Sequence, residues 1–110
     1  MISDDIVSRV LHRPLIISPH LYDAVFSCGA LISAAEEATV VTVFAGVPPN
    51  AEERVTEWDA ACGFVNAREA IERRRGEDKQ AVAALGARPV WLDFCDSQYG
   101  QPYEVKAIAQ

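Results

Sequence analysis

Histidine is scarce: only His12 and His20 occur in 110 residues. The three cysteines, Cys28, Cys62 and Cys95, are an odd number without metal-ligand spacing, so neither a disulfide framework nor a thiolate metal site is expected. Reduced thiols and a cytoplasmic chain follow, with Cys28 on a buried helix face as a small hydrophobe. Basic residues are few. Ten Lys and Arg against sixteen Asp and Glu leave a net charge of −6 and a pI near 4.8, which argues against nucleic acid or an anionic membrane as partner. The opening Met1-Ile2-Ser3-Asp4-Asp5 is acidic and precedes no long apolar core, so neither a signal peptide nor a membrane span is expected. Glycine-rich phosphate loops are missing too. The first strand-to-helix turn has no G-x-G, which leaves a nucleotide-binding α/β domain without support. No repeat or low-complexity tract is present.

What remains is ordinary for a globular protein: half the residues are hydrophobic and a quarter charged. A chain of this length makes one domain, residues 1–110, burying roughly 65% of its unfolded surface. Residues 1–12 read as a weak helical or extended arm, in which His12 has no companion ligands and is a surface side chain. Strand one runs over about Pro14–Ser18. From Asp23 to Ala35, Val25, Cys28, Gly29 and Ile32 recur on one helical face. Gly29 there suggests close approach of helix to sheet. Glu36 and Glu37 oppose the helix dipole and belong to a turn. Ala38–Gly46 is β-branched and nearly free of polar groups, so it reads as a central strand.

Pro48-Pro49-Asn50 ends regular structure, and the long connection to Phe64 reads as a partly ordered loop at the rim of a site. Its Trp58 serves either a sugar ring or the packing. Asn66 to Leu85 is the longest helix, with Asn66 as N-cap, Glu69 three residues on, and Gly86 as C-cap. Arg74 and Asp78 fall in phase with its apolar stripe of Ile71 and Val82. The commoner account pairs them at i, i+4. The other sends Arg74 to a substrate or a site carboxylate. Arg88–Phe94 is strand three, followed by the loop Cys95-Asp96-Ser97-Gln98-Tyr99-Gly100. A short helical or frayed tail closes the chain. Strands alternating with helices imply right-handed crossovers and a parallel sheet. All strand carboxyl ends then share one edge, where open α/β sheets bind ligands, and His20, Asp23, the Gly46 loop and Asp96 converge there. Imidazole and carboxylate three positions apart on such a bend suit one zinc ion.

The segment Ser18-Pro19-His20-Leu21-Tyr22-Asp23-Ala24-Val25, with Cys28-Gly29 behind it, resembles the opening P-H-x-D-D motif of the LmbE/PIG-L family of zinc-dependent N-deacetylases. Arg74 with Glu77 three positions later, the Ala-rich turn, Leu85-Gly86 and Asp96 resemble its later segments, so the likeness covers most of residues 13–100 in order. The resemblance implies a Rossmann-like three-layer α/β sandwich with a mainly parallel sheet, truncated relative to the family. It implies His20 and Asp23 as zinc ligands and Arg74 and Asp96 as substrate-binding residues. The implied substrates are N-acetylglucosaminyl conjugates and related N-acyl sugars or small amides.

Two positions depart from the family pattern. Tyr22 stands where the family's general base is Asp, and a phenol with an ordinary pKa near 10 is a poor proton acceptor at pH 7. The third family ligand is a histidine from a later part of the domain, and His12 lies before the motif strand. Two ligands alone imply weak zinc binding or none. Two functions stay open: a zinc N-deacetylase completed from elsewhere, or a non-catalytic relic serving binding or self-association through an open sheet edge.

Overall fold

The computed structural model describes residues 3–100; the expected tail lies outside them. Helix α1 spans Asp4–His12, β1 Leu15–Ser18, α2 Asp23–Ala34, β2 Thr39–Thr42, α3 Glu57–Ala61, α4 Ala67–Ala84 and β3 Arg88–Trp91. The three strands pair in parallel in the order β1-β2-β3. Strands β1 and β2 are joined through α2, and β2 and β3 through α4. Two right-handed crossovers in that strand order put both helices on one face, and the core agrees: Ala24 and Ile32 of α2, Val40 of β2 and Val82 of α4 form one buried cluster, with Ile16 of β1 against it.

The parallel α/β fold is therefore as expected. Of its layers, the described residues provide the sheet and the helices on one side. Alternation along β1 sends Leu15 and Ile17 to the other side, where they are 63% and 60% exposed. Helix α1 carries Ile6, Val7 and Val10 on its surface and buries nothing. It is tied on through its last turn, where Leu11 and His12 carbonyls accept from Glu36 and Glu37 backbone N–H at 2.7 and 3.1 Å. His12 pairs with Glu36 at 2.6 Å and Arg13 with Glu37 at 3.1 Å. This turn lies at the edge of the sheet away from His20. Among the described residues no helix is long and apolar enough to cross a membrane.

Three local expectations change. Gly29 is not a contact with the sheet: a Cβ there meets nothing within 4 Å. The irregularity is instead at Cys28, whose non-helical torsions (φ −126°, ψ 16°) break α2 in the middle. The connection from 47 to 64 is more ordered than a loop, holding a 3₁₀ turn, Ala51–Glu53, and helix α3. The regular part of β2 is shorter than the apolar run: Val43 and Phe44 N–H still donate to the Ser18 and Pro19 carbonyls at 2.9 Å, and the chain then closes on the segment after β3. Gly46 N–H donates to the Phe94 carbonyl at 2.9 Å, and a Cβ on Gly46 would lie 2.6 Å from the Asp93 carbonyl carbon.

The long helix starts where expected, with Asn66 Oδ1 accepting from Glu69 N–H at 2.9 Å. Replacing Asn66 by Ala removes that cap and is expected to cost about 1 kcal/mol in urea unfolding. Gly46→Ala forces a methyl against backbone, with an expected cost of about 1–3 kcal/mol. An unchanged unfolding midpoint in Gly46→Ala contradicts the close approach.

Candidate active-site cleft

His20 sits two residues beyond β1, on a bend that side chains hold together. Ser18, buried at the strand end, donates its hydroxyl to the His20 carbonyl at 2.7 Å and accepts from Ala24 N–H at 3.1 Å. Asp23, the first residue of α2, accepts from His20 N–H at 3.0 Å, and its own N–H donates back to the His20 carbonyl at 3.3 Å. Between them Tyr22 adopts a left-handed backbone (φ 74°), which a bulky side chain rarely takes. Asp78 of α4 holds it there. The buried carboxylate accepts from Tyr22 N–H at 3.2 Å through Oδ1 and from Trp91 Nε1–H at 3.0 Å through Oδ2.

The expected i, i+4 pair between Arg74 and Asp78 is therefore not formed. Both charges sit on the inward stripe of α4, yet each finds its partner on another element. Arg74 Nη1 lies 2.8 Å from Asp59 Oδ1 of α3, and Asp59 is fully buried. The other Asp59 oxygen accepts from the Tyr99 hydroxyl at 2.6 Å. Burial opposes the Arg74 charge, but the hydrogen bond and charge of Asp59 outweigh it and raise its pKa. Burial, then the Asp59 hydrogen bond and charge, push the Tyr99 phenol up. The Arg74 guanidinium also lies 5.2 Å from the Phe64 ring centre.

The predicted residues come together at the carboxyl edge of the sheet. His20 Nδ1 is 3.5 Å from Asp23 Oδ2, and His20 Nε2 is 3.2 Å from Asp96 Oδ1. The His20 ring stacks on Phe44 at 5.4 Å between centres. A cleft of about 410 Å³ opens there, with His20, Tyr22, Trp58, Arg74, Glu77 and Asp96 among its walls. Trp58 is 65% exposed on its rim, so of its two readings the packing anchor fails. A larger hollow of about 730 Å³ lies at the opposite edge, against Arg13, Glu37 and Arg88, and contains none of the predicted site residues.

The Tyr22 hydroxyl donates to Glu77 Oε2 at 2.6 Å, and burial followed by that carboxylate pushes the phenol up. Asp59, Thr56, Gln98 and Glu77 were not singled out by the sequence as site residues. A signal for the first two was present: Thr56-x-x-Asp59 has the form of a helix start, and Thr56 Oγ1 accepts from Asp59 N–H at 3.0 Å.

Zinc takes ligands at about 2.0–2.2 Å in a tetrahedron, which separates two donor atoms by roughly 3.3–3.5 Å. The His20 Nδ1 to Asp23 Oδ2 separation fits that spacing. Asp96 faces the other ring nitrogen and is not a third donor to the same ion. Among the described residues no group of three His, Cys, Asp or Glu side chains is placed to hold a metal.

The family model for PIG-L, GlcNAc-PI de-N-acetylase, matches residues 15–110. The chain belongs to the PIG-L family. No curated protein matches it. Among solved structures, this PIG-L chain is similar to the A40926 pseudoaglycone deacetylase Dbv21, with 41% identity, a TM-score of 0.66, and coverage of 83% of this chain and 39% of the other. The zinc inhibited form of teicoplanin deacetylase Orf2 is 36% identical with a TM-score of 0.67, covering 79% and 35%. A deacetylase–teicoplanin complex is 35% identical with a TM-score of 0.64, covering 79% and 36%. The chain thus spans under two fifths of the length of these deacetylases. It is a deacetylase-like domain of α/β fold, corresponding to the amino-terminal portion of the family.

The buried Asp59–Arg74 pair makes a clear prediction. Asp59→Ala leaves the Arg74 charge without its partner and is expected to cost about 3–5 kcal/mol in urea unfolding; a loss under 1 kcal/mol contradicts the pairing. A raised tyrosine pKa stabilises the fold below the unfolded value near 10, and that stability drains away as pH rises further. Thermal midpoints should therefore fall above about pH 10, and less steeply in Tyr99→Phe.

Proposed function

We propose that this PIG-L domain binds an N-acyl sugar or related small amide in the cleft beside His20, and that His20 and Asp23 are zinc ligands of an N-deacetylase site. The observation that carries the reading is the His20 Nδ1–Asp23 Oδ2 pair, 3.5 Å apart at the carboxyl edge of a parallel sheet. Zinc, when bound, polarises a carbonyl and makes bound water acidic near neutral pH. The chain's own residues supply the rest. Arg74, held by Asp59, presents a fixed cation to substrate hydroxyls, and Asp96 offers an acceptor on the same wall. Exposed Trp58 at the rim suits the apolar face of a sugar ring.

The place of the general base is filled by Tyr22. Its proton is committed to Glu77, and it lacks the carboxylate that would accept a proton from water. With two ligands and no base, the chain is expected to bind zinc weakly and to leave an N-acetylglucosaminide unhydrolysed. A second reading, a non-catalytic relic that self-associates, is favoured by the open sheet face at Leu15 and Ile17. A cytoplasmic location accords with the three free thiols.

Zinc titration followed by calorimetry tests the assignment. Binding should disappear in His20→Ala and in Asp23→Ala and survive in His12→Ala, whose side chain lies at the opposite sheet edge. Undiminished zinc affinity in His20→Ala overturns the ligand assignment. Absence of binding in the wild type, with a dimer mass in solution, favours the second reading. Tyr22→Asp restores the carboxylate alone and should still give no turnover; measurable acetate release from it contradicts the account of the missing ligand.

A further inference from the structure

Asp96 belongs to no strand, and its side chain would be free to turn were its two oxygens not both engaged. Oδ1 faces His20 Nε2 at 3.2 Å, and Oδ2 accepts from Gln98 Nε2 at 3.0 Å. Gln98 Oε1 in turn accepts from the Thr56 hydroxyl at 2.7 Å. The direction of each bond is fixed from the carboxylate, which only accepts, so the Gln98 NH2 faces Asp96 and Gln98 Oε1 takes the Thr56 proton. Thr56 Oγ1 receives the Asp59 N–H as the cap of α3. The second oxygen of that carboxylate again only accepts, so the ring nitrogen of His20 that meets it carries the hydrogen.

We propose that Thr56 and Gln98 are positioning residues which, acting through Asp96, set the tautomer and orientation of His20, with the proton on Nε2 and the lone pair of Nδ1 turned to Asp23. The relay runs from the cap of α3, across the 3₁₀ turn Ser97–Tyr99, to the bend after β1. It leaves two acceptors, His20 Nδ1 and Asp23 Oδ2, facing each other at 3.5 Å. Two lone pairs so placed repel, and a cation between them removes the repulsion. A carboxylate behind the distal nitrogen is how proteins commonly orient a metal-binding imidazole. The link to cation binding rests on the proposed function; the orientation of His20 does not.

The test is a long-range proton–nitrogen spectrum of the 15N-labelled chain, treated with chelator to be free of metal, at about pH 8.5, roughly two units above the ordinary imidazole pKa. In the wild type, His20 Nε2 should resonate as a protonated, pyrrole-like nitrogen and Nδ1 as a pyridine-like one, with wide separation between them. Gln98→Leu and Thr56→Val should narrow the separation as the two tautomers mix. Thr56→Ser keeps the hydroxyl and should restore it, and His12 should be unmoved throughout. Gln98→Leu leaves the cap of α3 intact, so it stands as the decisive variant if Thr56→Val unfolds. An unchanged separation in Gln98→Leu, or a wild-type His20 protonated on Nδ1, overturns the proposal. Because no metal is present, failure to bind zinc sinks the functional reading without touching this result.

Discussion

The bend that carries His20 lies between the last regular pair of β1 and the first turn of α2; Phe44 N–H still holds the Pro19 carbonyl at 2.9 Å, and past Pro19 no neighbouring strand fixes its shape. Its shape comes from the Asp78 carboxylate, which draws Tyr22 N–H to one oxygen and Trp91 Nε1–H to the other. A buried carboxylate is tolerated only when its lone pairs are used. Asp78 therefore registers three elements against one another: the bend, α4 and β3. Ser18 and Asp23 close the bend locally, and together they put an imidazole and a carboxylate at a ligand-like separation. The unusual backbone of Tyr22 follows from this clamp, since a left-handed residue needs its surroundings to hold it.

A second buried carboxylate does the same for the opposite wall. Asp59 lies in a five-residue helix that could not stand alone, yet it joins Arg74 of α4 to Tyr99 beside Asp96. The long connection after β2 is thus a bracket for the cleft more than a lid. Thr56, the N-cap of the same helix, anchors the polar relay to His20. Both walls of the cleft hang from side-chain hydrogen bonds, while the sheet supplies only the edge on which they meet.

The order of strands and helices, the parallel sheet, the Asn66 cap and the meeting of His20, Asp23 and Asp96 at one edge were legible because each rests on local pattern or on topology. The partners of Arg74 and Asp78 were not. Periodicity puts both on the inward stripe of α4 and makes them look like each other's partner, but it says nothing about which distant residue shares that space. Asp59 answers Arg74 across 15 positions of sequence, and Tyr22 answers Asp78 across 56. Gly29 misled for the converse reason: glycine in a helix suggests close packing, and here it follows a kink at Cys28 with open space around it. The open face at Leu15 and Ile17 needed the strand order, since only the order β1-β2-β3 sends both crossovers to one side.

Amide hydrogen exchange at Tyr22 and Ala24 tests most directly whether side-chain oxygens hold the bend. Both N–H groups donate to a side chain, Tyr22 to Asp78 and Ala24 to Ser18. The account predicts protection at both sites comparable to that of Val40 in the central strand, because they open only when the core does. Exchange at loop rates, with Val40 still protected, would show that the bend moves independently of the sheet and contradict the account.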